Sequence, residues 1–173
     1  MDRRRRASSC GLVGLAILLW VGALRAQGGA SLETLQFLLG EWEGLGEQGG
    51  ATGGFTFTPA VQHHVIVRTN YSNTPATAGS PAARHDDLMT IYVEGDVVKA
   101  DYFDNEGHVI RYLVQSTPGE AVFLSEVRPG EPRYRLTYTR VSATTIKGRF
   151  DVAPPGRPDQ FSAYLSWSAR KTR

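Results

Sequence analysis

The sequence predicts an all-β protein, with about ten antiparallel strands closing an up-and-down barrel behind one short N-terminal helix. Three observations carry that expectation. Beyond Gly40 apolar residues recur at every second position, in runs rich in Val, Ile, Thr, Tyr and Phe. Between the runs stand short turn signals, which join antiparallel neighbours because a parallel crossover needs many more residues. The chain of 173 residues also holds 19 Gly and 10% aromatics, a composition suited to many short strands and turns.

The elements follow in order. Ser31 is a possible N-cap, and Leu32, Leu35, Leu38 and Leu39 recur at helical spacing before Gly40, so 31–39 is expected to be one short amphipathic helix. A short strand around Glu41 to Gly46 comes next. Strands are then expected near 53–59, 61–71, 87–93, 97–104, 108–115, 120–127, 132–140, 144–152 and 161–169. The punctuation includes Glu94-Gly95-Asp96, Asn105-Glu106-Gly107, Thr117-Pro118-Gly119, Arg128-Pro129-Gly130 and Ser142-Ala143. Ten strands in one sheet tend to curl, and closure removes the edges. Two longer loops, Ser72 to Asp86 and Ala153 to Gln160, would lie at a rim.

Ahead of the barrel sits an address. Arg3 to Arg6 precede an apolar run from Leu12 to Leu24, and small residues follow at Ala26, Gly28 and Gly29. That order describes a secretory signal peptide over 1–26, leaving a barrel domain over 31–170. The apolar run falls short of the ~20 residues a spanning helix needs. A secreted or periplasmic protein with no stable membrane span after cleavage is the expectation. Without residues 1–26 the chain keeps 14 of its 19 basic and 16 of its 17 acidic residues, a net charge of −2. Bulk charge therefore argues against nucleic acid as a partner. Cys10 is the only cysteine and lies in the leader, so thiol catalysis and thiolate metal sites are excluded from the domain.

Alternation predicts the barrel's contents. In 97–104, 108–115, 132–140 and 144–152 Lys99, Asp101, Arg111, Arg133, Arg135, Lys147, Arg149 and Asp151 share one parity. The opposite parity then faces inward: Val98, Ala100, Tyr102 and Asp104; His108, Ile110, Tyr112 and Val114; Tyr134, Leu136 and Tyr138; Ile146, Gly148 and Phe150. Phe161, Ala163, Leu165 and Trp167 share a face in the last strand, and Val61, His63, Val65, Val67 and Tyr71 are placed inside in 61–71. An apolar interior with a few phenol and imidazole tips is the usual make-up of a small-molecule site.

The segment Leu35-Gln36-Phe37-Leu38-Leu39-Gly40-Glu41-Trp42-Glu43-Gly44-Leu45-Gly46 resembles the opening of nitrobindin-type and other lipocalin-like (calycin) barrels. In those a short helix ends at a glycine, and a tryptophan opens the first strand and packs across the closed end. The resemblance implies a ten-stranded barrel with an internal ligand site. Nitrobindins hold haem through a histidine near the C-terminus. Here the last strand has none, and the last histidine in the chain is His108, so haem is not expected and no other cofactor is implied.

Motifs that would carry chemistry mostly fail. Gly44-Leu45-Gly46-Glu47-Gln48-Gly49 matches a dinucleotide fingerprint in letters only, because a strand pattern follows it where a helix should open. His63 and His64, adjacent on an expected strand, would point to opposite faces. His85, Asp86 and Asp87, and separately Asp104, Glu106 and His108, have metal-ligand chemistry, but turn and surface roles account for them and no metal site is expected. An inward Asp104–His108 pair is the best acid–base candidate. Asn70-Tyr71-Ser72 is a glycosylation sequon by pattern.

The leading expectation is an exported barrel that binds a small hydrophobic or amphipathic molecule. Tyr102, Tyr112, Tyr134, Tyr138, Phe150 and Trp167 would line the lumen, and His63 and His108 would orient a polar end. The alternatives are a filled structural or interaction barrel, or an enzyme using the Asp104–His108 pair. No catalytic residue is assigned, a binding protein being favoured over an enzyme, and the sequence leaves the oligomeric state open.

Overall fold

A computed structural model describes residues 29–46 and 50–173. The signal-peptide reading of 1–26 lies outside these residues, as do Glu47 to Gly49 of the glycine-rich run. A six-residue 3-10 helix, Glu33–Leu38, leads into ten strands. These are β1 (Gly40–Gly44), β2 (Thr52–Ala60), β3 (Val65–Thr74), β4 (Ala83–Glu94) and β5 (Val97–Asp104). The second half adds β6 (Val109–Thr117), β7 (Glu120–Ser125), β8 (Arg133–Arg140), β9 (Thr145–Ala153) and β10 (Ser162–Lys171). Each strand pairs antiparallel with its sequence neighbours, and β1 pairs with β10, which closes the barrel. Among the described residues no helix is long and apolar enough to cross a membrane.

The helix is 3-10 rather than α for a reason visible in its leucines. Leu32, Leu35 and Leu38 stand three apart and are all buried, and a three-residue turn puts all of them on one side. They plug one end of the barrel. Trp42 of β1 lies beneath them and donates from Nε1 to the Leu38 carbonyl at 2.7 Å, satisfying a group that the helix end leaves free. Gly40 joins helix to strand at φ 117°, and a Cβ there would overlap the Arg173 carbonyl. Thr34 and Ser116 share a 2.6 Å hydrogen bond that ties the helix to β6.

Above the plug the barrel is solid. Phe55, Phe57, Tyr112, Phe123 and Tyr138 are buried and meet mostly edge to face, with ring centres 5.5–6.2 Å apart. Met89, Ile91, Ala100, Ala121, Ile146 and Ala169 fill the space between them. Gly148 is buried because the Trp167 indole of the neighbouring strand lies flat where its Cβ would be. Opposite the plug is the mouth, at the end where β1–β2, β3–β4, β5–β6, β7–β8 and β9–β10 are joined.

Four expectations need correction. First, β3 begins at Val65, and Val61 to His64 form a turn in which Val61, Gln62 and His63 have φ of 48°, 53° and 68°. That turn contains no Gly, Pro or Asn, so nothing in the sequence separated it from the strand. Second, the inward face of β3 is Ile66, Arg68 and Asn70, not Val65, Val67 and Tyr71. The apolar parity faces outward here because Arg68 is buried with its carboxylate partner Asp87, and a shift of one residue exchanges a strand's faces. Third, β10 carries a bulge between Ala163 and Leu165. Phe161 therefore lies outside, 4.3 Å beneath the Arg135 guanidinium, while Leu165 and Trp167 stay on the inner row. Fourth, the expected loop from Ser72 to Asp86 shrinks to 75–82, because both flanking strands run on into it.

Candidate functional site

The mouth half of the lumen has two unlike walls. Strands β3 to β6 supply a polar one. Arg68, 5% exposed, donates from Nη1 to Asp87 Oδ1 at 2.6 Å. Asn70, directly across the strand pair, donates to Asp87 Oδ2 at 2.8 Å, so the residue of the sequon is turned into the barrel. The alternation that buries Ile66 and Ile91 is what brings these groups together, because Asn70, Asp87 and Asp104 occupy one row across three strands.

Above them a second set bridges the β5–β6 hairpin. Asp104 Oδ1 accepts the backbone N–H of Glu106 at 3.0 Å and of His108 at 2.9 Å. Its Oδ2 takes the Tyr102 hydroxyl at 3.2 Å and His108 Nδ1 at 2.9 Å. Burial pushes this carboxyl up, but the bonds from His108 and Glu106 outweigh burial and hold it below the ordinary aspartate value. His85 reaches Tyr102 with Nε2 and Glu106 with Nδ1, both at 3.1 Å. Tyr102 is itself raised above a free phenol, first by burial and then by Asp87 and Asp104.

Facing this across the lumen is an apolar wall from β8 to β10. Tyr134 and Phe150 stack at 5.7 Å with a 12° tilt, and Tyr164 meets the Phe150 edge at 6.2 Å. Leu136, Phe150 and Leu165 form one inward row, and exposure along it rises from 5% at Leu136 to 55% at Leu165. The row climbs out of packed core into open mouth.

The sequence-predicted residues divide accordingly. Tyr134 and Phe150 belong to the apolar wall, Tyr102 to the polar one, and His108 stands exposed at the rim. Trp167 is partly buried below the mouth, at 6.0 Å from Tyr138. Tyr112 and Tyr138 lie in the solid half. His63 is a correction: it sits in the exposed β2–β3 turn at the plugged end and lines nothing.

Sequence reasoning missed Arg68, Asn70 and Asp87 as wall residues and considered His85 only as a metal ligand. A signal was present, since Ile66-x-Arg68-x-Asn70 alternates in step with Asp87-x-Met89-x-Ile91 on the next strand. Among the described residues no group of three or more His, Cys, Asp or Glu is placed to hold a metal ion. In the first candidate cluster Asp86 turns outward to Arg84, and in the second Asp104 is saturated by its own hairpin.

Two clefts lie elsewhere. One of about 390 Å³ adjoins the helix, between Ser31, Asp96 and Gln115. Another of about 530 Å³ lies on the outer wall between Glu43, Thr69 and Arg84.

What fold and site define is a closed, ten-stranded antiparallel barrel, compatible with the calycin type and shaped so that it could hold a ligand. No family model matches the chain, and no curated protein matches it either.

Proposed function

We propose that this is an exported barrel that holds a small apolar or amphipathic molecule in the mouth half of its lumen. One observation carries the reading: the inward row Leu136–Phe150–Leu165 ends in an exposed leucine facing a wall of hydrogen-bonded polar groups. A molecule with an apolar body would cover the aromatic wall, gaining ~25 cal/mol per Å² buried, while a polar end met the opposite wall. The nitrobindin-like opening supports the same class of function, and the absence of a histidine from β10 argues against haem as the ligand. The basic, then apolar, N-terminus supports export.

Two rival readings fit less of the molecule. A filled structural barrel accounts for the solid half but not for the exposed inner row. An acid–base role for Asp104 and His108 is disfavoured because both Asp104 oxygens are already taken within the hairpin.

Native mass spectrometry of the mature protein, purified without refolding from an exporting host, tests the proposal. A discrete co-purifying mass that is lost on denaturation is the expected result. A bare polypeptide that also leaves tryptophan fluorescence unchanged with every apolar probe offered would overturn it. A haem mass would do the same for the ligand class.

A further inference from the structure

We propose that two copies of this chain pair through the outer face of β4 to β6, in a dimer that leaves both mouths free. Leu88, Val97, Phe103, Val109 and Leu113 point out from that face and are 39% to 51% exposed. Register sets them side by side. Leu88, Phe103 and Val109 make one row across the three strands, and in a second row Leu113 continues into Leu124 of β7. The outer faces of β8 to β10 present instead Arg133, Arg135, Lys147, Arg149, Ser166 and Ser168. Exposed apolar residues scattered singly need no explanation, but a contiguous patch on one side of a barrel marks a contact surface.

Charge identifies what covers the patch. Between the apolar rows, Asp101 and Arg111 stand directly across from each other. Asp101 accepts the Tyr92 hydroxyl at 3.0 Å, and among the described residues neither Asp101 nor Arg111 forms an ion pair. A face that carries one carboxylate and one guanidinium a strand apart is complementary to itself. A two-fold axis running along the strands, between β5 and β6, sets each Asp101 against the second copy's Arg111. The same rotation lays Phe103 on Val109, Tyr92 on Leu124 and the aliphatic stem of Lys99 on Leu113. The Lys99 ammonium is held by Glu94 of its own chain. An axis across the strands through this row would set each charge on its own copy, and like charges repel. Rotation about the first axis keeps both barrels pointing the same way, so both mouths open on one side. Four strands by seven residues present roughly 450 Å² of sheet per copy, small for a specific interface. The dimer should therefore exchange with monomer as concentration changes.

Sedimentation velocity of the mature protein tests the pairing. Dimer should dominate at on the order of 100 μM and dissociate towards 1 μM. Arg111→Asp sets carboxylate against carboxylate, and Asp101→Arg sets guanidinium against guanidinium, so each variant alone should self-associate about tenfold more weakly. Mixed in equal amounts the two should pair again, because each supplies the charge the other has lost. Val109→Ser, at an exposed position, trims the apolar row without touching the charges and should also favour monomer. A protein that is monomeric at every concentration overturns the inference. So does a dimer that survives both charge reversals, since the copies would then meet elsewhere. Folded variants that stay apart on mixing overturn it as well. A monomer that instead sediments with phosphatidylcholine vesicles, and is released by Val109→Ser, overturns it in favour of a membrane as the occupant.

Discussion

The two ends of this barrel solve opposite problems with the same alternation. At the plugged end every inward position is apolar or aromatic, and Leu35, Leu38, Phe123 and Tyr138 have at most 0% exposure. At the mouth the inward positions of β3 to β6 are Asn70, His85, Asp87, Tyr102 and Asp104, while those of β8 to β10 remain apolar. The plugged half therefore acts as the folding core, and the mouth half is a surface turned inward. Stability should concentrate in the first and ligand selectivity in the second.

That contrast can be broken at its strongest point. Trp42→Ala removes the residue on which the helix plug rests and should cost about 3–5 kcal/mol, read as a lowered urea midpoint. Phe150→Ala, by contrast, trims a half-buried ring of the mouth. It should cost less than about 3 kcal/mol, the low end for a large aromatic, yet weaken apolar probes more than Trp42→Ala does in the protein that remains folded. Equal stability losses for the two variants would abolish the distinction between core and cup.

Between these extremes lies the Arg68–Asp87 pair, which belongs to both halves. Arg68→Met alone strands a buried carboxylate and should cost about 3–5 kcal/mol, whereas removing both charges should recover much of the loss. Chemical denaturation of the single and double variants distinguishes a paired charge from an independent one.

A smaller effect concerns acid. The Asp104 carboxyl is held below its unfolded value, so its contribution to stability is full above about pH 4 and is lost as pH falls through the lower folded value. Asp104→Asn should lower stability at neutral pH and flatten that part of the acid limb, measured as urea midpoint against pH. Phenols shift the other way. Tyr138 is pushed up to about 12, first by burial, so its contribution holds below about pH 10 and is lost as pH rises towards the folded value.

The smallest change expected is a gain. Gln62 sits at φ 53° in the β2–β3 turn, a conformation that costs an ordinary residue about 1–2 kcal/mol. Gln62→Gly relieves the strain and loses part of the benefit to unfolded-chain entropy, so a net stabilisation of under about 1 kcal/mol is expected. Thermal unfolding reads it, and probe binding at the far mouth should not change.

Strand number, order and most of the facing residues were legible in the sequence. On β5, β6, β8 and β9 most charges fall on one parity and most buried residues on the other, as with Val98 and Ala100 against Lys99 and Asp101, although Asp151 and Ala153 are buried on the charged side of β9. A two-residue period and short turns are local properties, and antiparallel closure follows from them with little further choice. The helix plug was legible too, through the leucines and Trp42, although not its 3-10 winding.

Tertiary structure alone decided the polar wall. Arg68 finds a partner only when β4 is laid beside β3, because Asp87, which stands across from Asn70, then comes within reach of its guanidinium. A buried charge is tolerated only with its partner, and the partner lies 19 residues away on another strand. For the same reason the β10 bulge and the left-handed β2–β3 turn escaped the sequence, since each is a local departure that the surrounding register imposes. The sequence by itself determined a closed meander of alternating strands. Pairing across strands determined which charge could be buried, because Arg68 reaches its carboxylate only once β3 and β4 lie side by side.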